Sequence, residues 1–431
     1  MKNSYTVLAA LCAALLAAGC GGGKKPAPRE YRPLVPQGTF AVGVSEAESL
    51  NASAMAAFLR AEQQRQLEAA ERFAEKHPEM AQQCSSQALK KLQDILSDFG
   101  KDVKWSIASF ARPSFSAETL KDDDGVIEVP ACVGVVCLKE PTTLEAQLAK
   151  AEQIATTLRD SMDLPDGDGG CDIFCQMTNY VAVTDAEIAG CKVRKVSVIA
   201  NEDTQEFLNR VKGWEPCVGV FDGVLIIAAT SPEAFANTVA LYKGEAPAAD
   251  PESEIAKDAA LTGTPRAFCG LYDCDTVVEG LLEGSDAADD NDDAMSYLKA
   301  LKTVKLFAAM DDTAMKETVG ATVAFADAGS ATALSGLIEG GKGFATMMLG
   351  MAAHENAGLA DVVSLLNGFT SKVEGSALSV QLDIPKSVVE KLNYDALLEL
   401  QEKYAPQLSD GDDEDDEDDD ADDGDDEAAD D

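Results

Sequence analysis

The chain has 431 residues, a length that suits two or three domains, and 46% of them are hydrophobic, enough for a buried core. Its 76 acidic against 35 basic residues give a formal net charge of −41, which excludes nucleic acid as a partner, because phosphate binding needs a basic surface. Two histidines in the whole sequence leave little basis for histidine catalysis or a multi-histidine metal site.

Residues 1–20 read MKNSYTVLAALCAALLAAGC. Lys2 supplies a short positive start, residues 7–16 form an apolar run too short to span a bilayer, and Ala17, Ala18 and Gly19 lead into Cys20. This pattern resembles the bacterial lipoprotein signal with its lipobox. The resemblance implies a signal peptide over 1–19, a thioether-linked diacylglycerol on Cys20, an acylated new amino terminus and a place in the bacterial cell envelope. Gly21, where a retained inner-membrane lipoprotein carries Asp, implies the outer membrane. Two or more acyl chains are enough for stable anchoring. Residues 20–37, rich in Gly, Pro and basic side chains, read as the lipidated cysteine and an extended tether.

A first domain is expected over 38–245. TFAVGVS (39–45) reads as a strand, and a polar helix follows from Ser53 to Lys76, ended by His77-Pro78. A second helix carries Ala88, Leu92, Ile95, Leu96 and Phe99 on one face and closes at Gly100. VKWSIASF (103–110) and VIEVPACVGVVCL (126–138) alternate like paired strands. Thr142 with Glu145 reads as a capping box ahead of a helix. KVRKVSVIA (192–200) is the next strand, and CVGVF-DG-VLIIAAT (217–230) is a hairpin, since Asp222-Gly223 suits a two-residue turn. Ser231-Pro232 then opens a helix carrying Phe235, Val239 and Tyr242.

Residues 246–258 read as a linker to a second domain over 259–405. There RAFCGLY (266–272), VKLFAAM (304–310), TVGATVAFA (318–326) and SALSVQLDI (376–384) are strands. Helices are expected after Asp275, around 330–352 and 358–368, and after Pro385. Both halves show β-α-β-β-α-β order. The fold class expected is α+β: duplicated split-βαβ, ferredoxin-like units with mainly antiparallel sheets and helices on one face. Residues 406–431 carry 17 acidic residues and no basic one, cannot bury apolar surface, and read as a disordered tail.

Of 11 cysteines, nine lie beyond Cys20. An exported chain meets an oxidising compartment, so disulfides are expected, with Cys132, Cys137, Cys171, Cys175, Cys191, Cys269 and Cys274 as candidates and a bridge among Cys171, Cys175 and Cys191. The gaps Cys132/Cys137 and Cys269/Cys274 also suit zinc ligands, but these cysteines sit in strand-like segments. Asp163, Asp166, Asp168 and Asp172 surround three glycines and are the candidate Ca²⁺ ligands, without EF-hand spacing. GLIEGGKG (336–343) lacks the hydroxyl of a phosphate loop and its preceding strand is misplaced. Phe344, Met347, Met348 and Met351 form a stripe expected to enter the core. The function expected is a non-enzymatic, lipid-anchored envelope protein that binds or organises something at the membrane, with a cationic protein as a partner its acidity would attract. The alternatives are a Ca²⁺-responsive binding protein and a hydrolase whose carboxylates meet only in the fold.

Overall fold

The computed structural model describes residues 31–76, 100–114, 125–161, 180–202, 204–260, 266–282, 293–355 and 359–398. β1 (Thr39–Ser45) matches its sequence prediction. A short α1 (Ala47–Ala52) precedes α2 (Ala54–Lys76), and β2 (Val103–Ala111) follows. The strand predicted over 126–138 is broken into β3 (Ile127–Glu128) and β4 (Cys132–Leu138), because Pro130 has no N–H to give a ladder. Next come α3 (Leu144–Ser161), whose cap is Thr143 rather than Thr142 since Thr143 Oγ1 accepts from Ala146 N–H, and the hairpin of β5 (Val181–Ile188) with β6 (Cys191–Val198). α4 (Gln205–Arg210) leads into β7 (Val211–Lys212), which pairs in parallel with β3 in a separate small sheet. β8 (Cys217–Phe221) and β9 (Leu225–Ala229) form the expected hairpin, with Asp222 and Gly223 at φ 51° and 71°. α5 (Pro232–Lys243) is capped by Ser231 and closed by Gly244 at φ 77°.

The segment read as a linker holds α6 (Glu254–Ala259), with Ala259 buried. Beyond it lie β10 (Arg266–Leu271), α7 (Cys274–Leu282), α8 (Asp293–Ala300), β11 (Leu301–Asp311) and β12 (Lys316–Phe325). α9 (Ala328–Glu355) and α10 (Ala360–Leu366) precede β13 (Phe369–Glu374), β14 (Ala377–Pro385) and α11 (Lys386–Val389).

Twelve strands join in one sheet in the order β13-β14-β12-β11-β10-β1-β2-β4-β9-β8-β6-β5. The halves meet where β1 pairs antiparallel with β10, from Ala41↔Leu271 to Ser45↔Ala267. Reading outward from that seam, β10-β11-β12-β14-β13 and β1-β2-β4-β9-β8 follow the same connectivity, and the first half then adds the β5–β6 hairpin. A split-βαβ unit sets two parallel strands side by side. Every described pair in the large sheet is antiparallel, so that side-by-side parallel arrangement does not occur among its described strands.

Helices lie on both faces of the sheet rather than on one. On one face, Val42, Val44, Trp105, Ile107, Val133, Val135 and Ile227 pack with Phe235 and Val239 of α5 and Ala259 of α6. On the other, Ala47 of α1 packs with Val103, Val136, Leu138 and Ile226. The reason is visible in β4, CVGVVCL, which is buried at every position and therefore needs cover on both sides. The described end of the segment read as a tether over 20–37 packs against the body instead. The Tyr31 ring is tilted against Phe221 and edge-on to Tyr242, its carbonyl accepts from Trp105 Nε1, and Val35 is buried. No described helix is long and apolar enough to cross a membrane.

Gly219 in β8 shows how closely α5 approaches the sheet. A Cβ there would lie 2.7 Å from Val193 Cγ1 and 2.8 Å from the Phe235 ring, both fully enclosed. Gly219→Ala should therefore destabilise the protein by about 1–3 kcal/mol through overpacking, read as a lower urea midpoint. An unchanged midpoint would show that α5 does not press on the sheet there.

Candidate functional site

The site is built by α2, a helix of the first half that packs on β11 and β12 of the second. Ser53 caps α2 by accepting from Ala56 N–H. Asp312, in the turn after β11, accepts from Ser53 Oγ at 2.6 Å and from Met55 N–H at 2.9 Å. These bonds, the Met55 N–H first and Ser53 second, hold the Asp312 carboxyl below its ordinary range, and a carboxylate at a helix N-terminus is further favoured by the helix dipole. Farther along, Lys386 lies over the Phe58 ring, Glu62 accepts from Arg65 Nη1 at 2.5 Å and from the Tyr394 hydroxyl at 3.4 Å, and Arg72 pairs with Asp395 at 3.1 Å. Glu62 is only 7% exposed. The Glu62–Arg65 pair is internal to α2, and the contacts of Glu62 with Tyr394, Arg72 with Asp395 and Lys386 with Phe58 hold α2 against the 386–395 segment as well as the sheet.

Between these supports lies an open cleft of about 400 Å³ lined by Leu59, Arg60, Gln63, Met310, Glu317 and Tyr394, together with neighbouring side chains. A second cavity of about 300 Å³ adjoins it across Tyr394 and is lined by Arg65, Arg72 and Asp395 among others. Glu317 stands opposite Met310 in the β11–β12 register, on the same side of β12 as Val319, Ala321 and Val323 by strand alternation. Burial raises its carboxyl above the ordinary glutamate range. Among the described residues neither the Arg60 nor the Glu317 side chain has a hydrogen-bond or ion-pair partner. Burial, and secondarily the charge of Glu62, push the Tyr394 hydroxyl up.

None of the described residues singled out from the sequence lines either cavity. Cys20, Asp163, Asp166, Asp168, Asp172, Cys171 and Cys175 fall outside the described residues, as do the helix expected over 88–99 and the tail. The bridge expected among Cys171, Cys175 and Cys191 thus has two members outside them. No two of the described cysteines Cys132, Cys137, Cys191, Cys217, Cys269 and Cys274 lie at bonding distance. Cys132 and Cys137, five positions apart on β4, point to opposite faces, so their spacing cannot make a shared metal site. Burial pushes Cys137 and Cys217 up to about 11. Among the described residues no three His, Cys, Asp or Glu side chains converge as a metal would require. GLIEGGKG is a stretch of helix inside α9, where Lys342 donates to the Phe369 carbonyl. The stripe expected in the core is instead largely on the surface: Phe344 is 62% exposed, and Met347 and Met351 are exposed with it.

Sequence reasoning missed Arg60, Glu62, Glu317 and Tyr394. Two carried a signal. Glu62 follows the buried Met55 by seven positions and precedes the buried Ala69 by seven, so it sits on the inward line of α2. Glu317 is the first residue on the apolar line of β12. A charge on an apolar line is the pattern to seek.

The chain matches no family model, and no curated protein or solved structure is significantly similar to it.

Because Glu317 holds its proton to higher pH when folded than when unfolded, the folded chain binds more protons in that window. Stability should therefore fall as pH rises from the ordinary glutamate range through the raised folded value. Glu317→Gln should raise the melting temperature at neutral pH and flatten that fall, measured by thermal unfolding across a pH series. An unchanged profile would show that Glu317 is not held unpaired against the sheet.

Proposed function

We propose that the chain is a non-enzymatic lipoprotein of the bacterial cell envelope, anchored through Cys20, that binds a small ligand in the cleft between α2 and β12. The observation that carries the binding role is a partly buried carboxylate, Glu317, left without a partner in a cleft. Such a group costs stability, and proteins retain that cost at functional sites. Open concave sites of this volume suit small molecules. The anchoring role is supported by the lipobox-like run ending at Cys20, with the outer membrane favoured by Gly21. The acidic surface keeps the body clear of anionic lipid headgroups and nucleic acid and attracts cationic partners. We also read the two halves as a duplication, on the shared connectivity of β1-β2-β4-β9-β8 and β10-β11-β12-β14-β13.

One observation favours a hydrolase as a second reading. Glu62 and Glu317, the latter raised by burial, line the same cleft, and two carboxyls on one cleft are the groups that acid–base work needs. Glu62 is engaged by both Arg65 and Tyr394, which supports binding over proton transfer. The Ca²⁺-responsive reading rests on Asp163, Asp166, Asp168, Asp172 and the tail, all outside the described residues.

Cys20→Ala tests the anchor. The variant should leave the membrane fraction and appear as soluble protein; retention on membranes after a high-salt wash would contradict the lipoprotein reading.

A further inference from the structure

The cleft carries two charged side chains of opposite sign on its two walls, neither paired with another protein group among the described residues. Arg60 projects from α2, and Glu317 from β12. They do not pair with each other, since no ion pair joins them and burial is the sole cause of the shift at Glu317. Nearby charges are already matched: Glu62 with Arg65, Arg72 with Asp395. Leu59, Met310 and Val389 contribute apolar surface, and Gln63 and Gln66 contribute amides.

Each class of ligand meets this cleft differently. A neutral molecule would desolvate Arg60 and Glu317 further and satisfy neither. A simple cation would pair with Glu317 and be repelled by Arg60. A simple anion would pair with Arg60, be repelled by Glu317, and approach against the field of a chain with a formal charge of −41. A molecule carrying both an ammonium and a carboxylate satisfies both walls and meets no net repulsion. The guanidinium fork of Arg60 suits a carboxylate.

We propose that this cleft binds a small ammonium–carboxylate zwitterion, of the free amino acid or short peptide class, with its ammonium at Glu317 and its carboxylate at Arg60. The proposal rests on the reading of the cleft as the ligand site. A volume of about 400 Å³ lies near the lower end of the usual range for ligand sites, which fits a ligand of that size. Glu317 and Arg60 are then binding residues whose mutual separation selects the distance between the ligand's charges.

Calorimetric titration of the mature full-length protein tests this. The probes are a series of ω-amino carboxylates from glycine to ω-aminooctanoate, with leucine and triglycine added as the two natural sources of the same chemistry. n-Hexylamine and hexanoate serve as single-charge controls. One or more zwitterions should bind at least about tenfold more tightly than either control, a difference of about 1.4 kcal/mol. Arg60→Gln and Glu317→Gln should each abolish that advantage, with folding of both variants verified by their melting curves. Preference for leucine assigns a free amino acid and preference for triglycine a peptide; either supports the proposal. Hexylamine binding as tightly as any zwitterion, insensitive to Arg60→Gln but lost in Glu317→Gln, would overturn the zwitterion while leaving the cleft as a cation site. Absence of binding by every probe, or binding insensitive to both substitutions, would overturn the cleft as the ligand site as well.

Discussion

Five residue pairs between β1 and β10 hold the two halves of this protein in one sheet. Without that seam there would be two smaller sheets, each with an additional unpaired edge exposing backbone N–H and C=O groups. With it, the true edges are β5 and β13, at the far ends. The glycines at the seam are reciprocal: Gly43 faces Cys269 and Gly270 faces Val42. At Gly270 the absent Cβ leaves room for the rings of Tyr272 and Phe268, each 2.8–2.9 Å from where it would stand. Tyr272 in turn donates to Asp258 of α6, and Lys305 pairs with Asp258 and Glu254. These bonds fasten the segment between the halves to the second half, and α6 also contacts β1.

The cleft depends on the same arrangement. α2 belongs in sequence to the first half but rests on β11 and β12, reached only because β1 and β10 lie side by side. Asp312 fixes its beginning, and Glu62, Arg65, Arg72 and their partners at 390–395 fix the rest. A helix held at so many points presents Arg60 at a set distance from Glu317. For the ligand proposed, that preorganisation would limit the ordering cost of binding.

Local chemistry made much of the fold legible in the sequence. α5 announced itself through Ser231-Pro232 and the spacing of Phe235, Val239 and Tyr242, and the β8–β9 hairpin through Asp222-Gly223. β5 and β13 did not. They are the two edge strands, VAVTDAEI and FTSKVE, half exposed and carrying charges, as edges must to discourage pairing with other chains; the apolar alternation that marks an inner strand is missing from them for that reason. The strand order could not be read because pairing β1 with β10 is a long-range choice with no local signal. The cleft was illegible for the same reason, since Arg60, Glu317 and Tyr394 lie far apart along the chain and meet only through α2. The surface position of Phe344 and Met351 shows the converse limit: helical periodicity places residues on one face without saying whether that face is covered.

The central claim is that the two halves form one hydrogen-bonded body, on which the cleft between α2 and β12 relies. Native-state hydrogen exchange on the protein tests it most directly. The β1 and β10 amides that bond across the seam should exchange among the slowest in the protein and by the same global opening as β4 and β12. Fast exchange along the seam, with β4 and β12 protected to different extents in separate openings, would contradict the account.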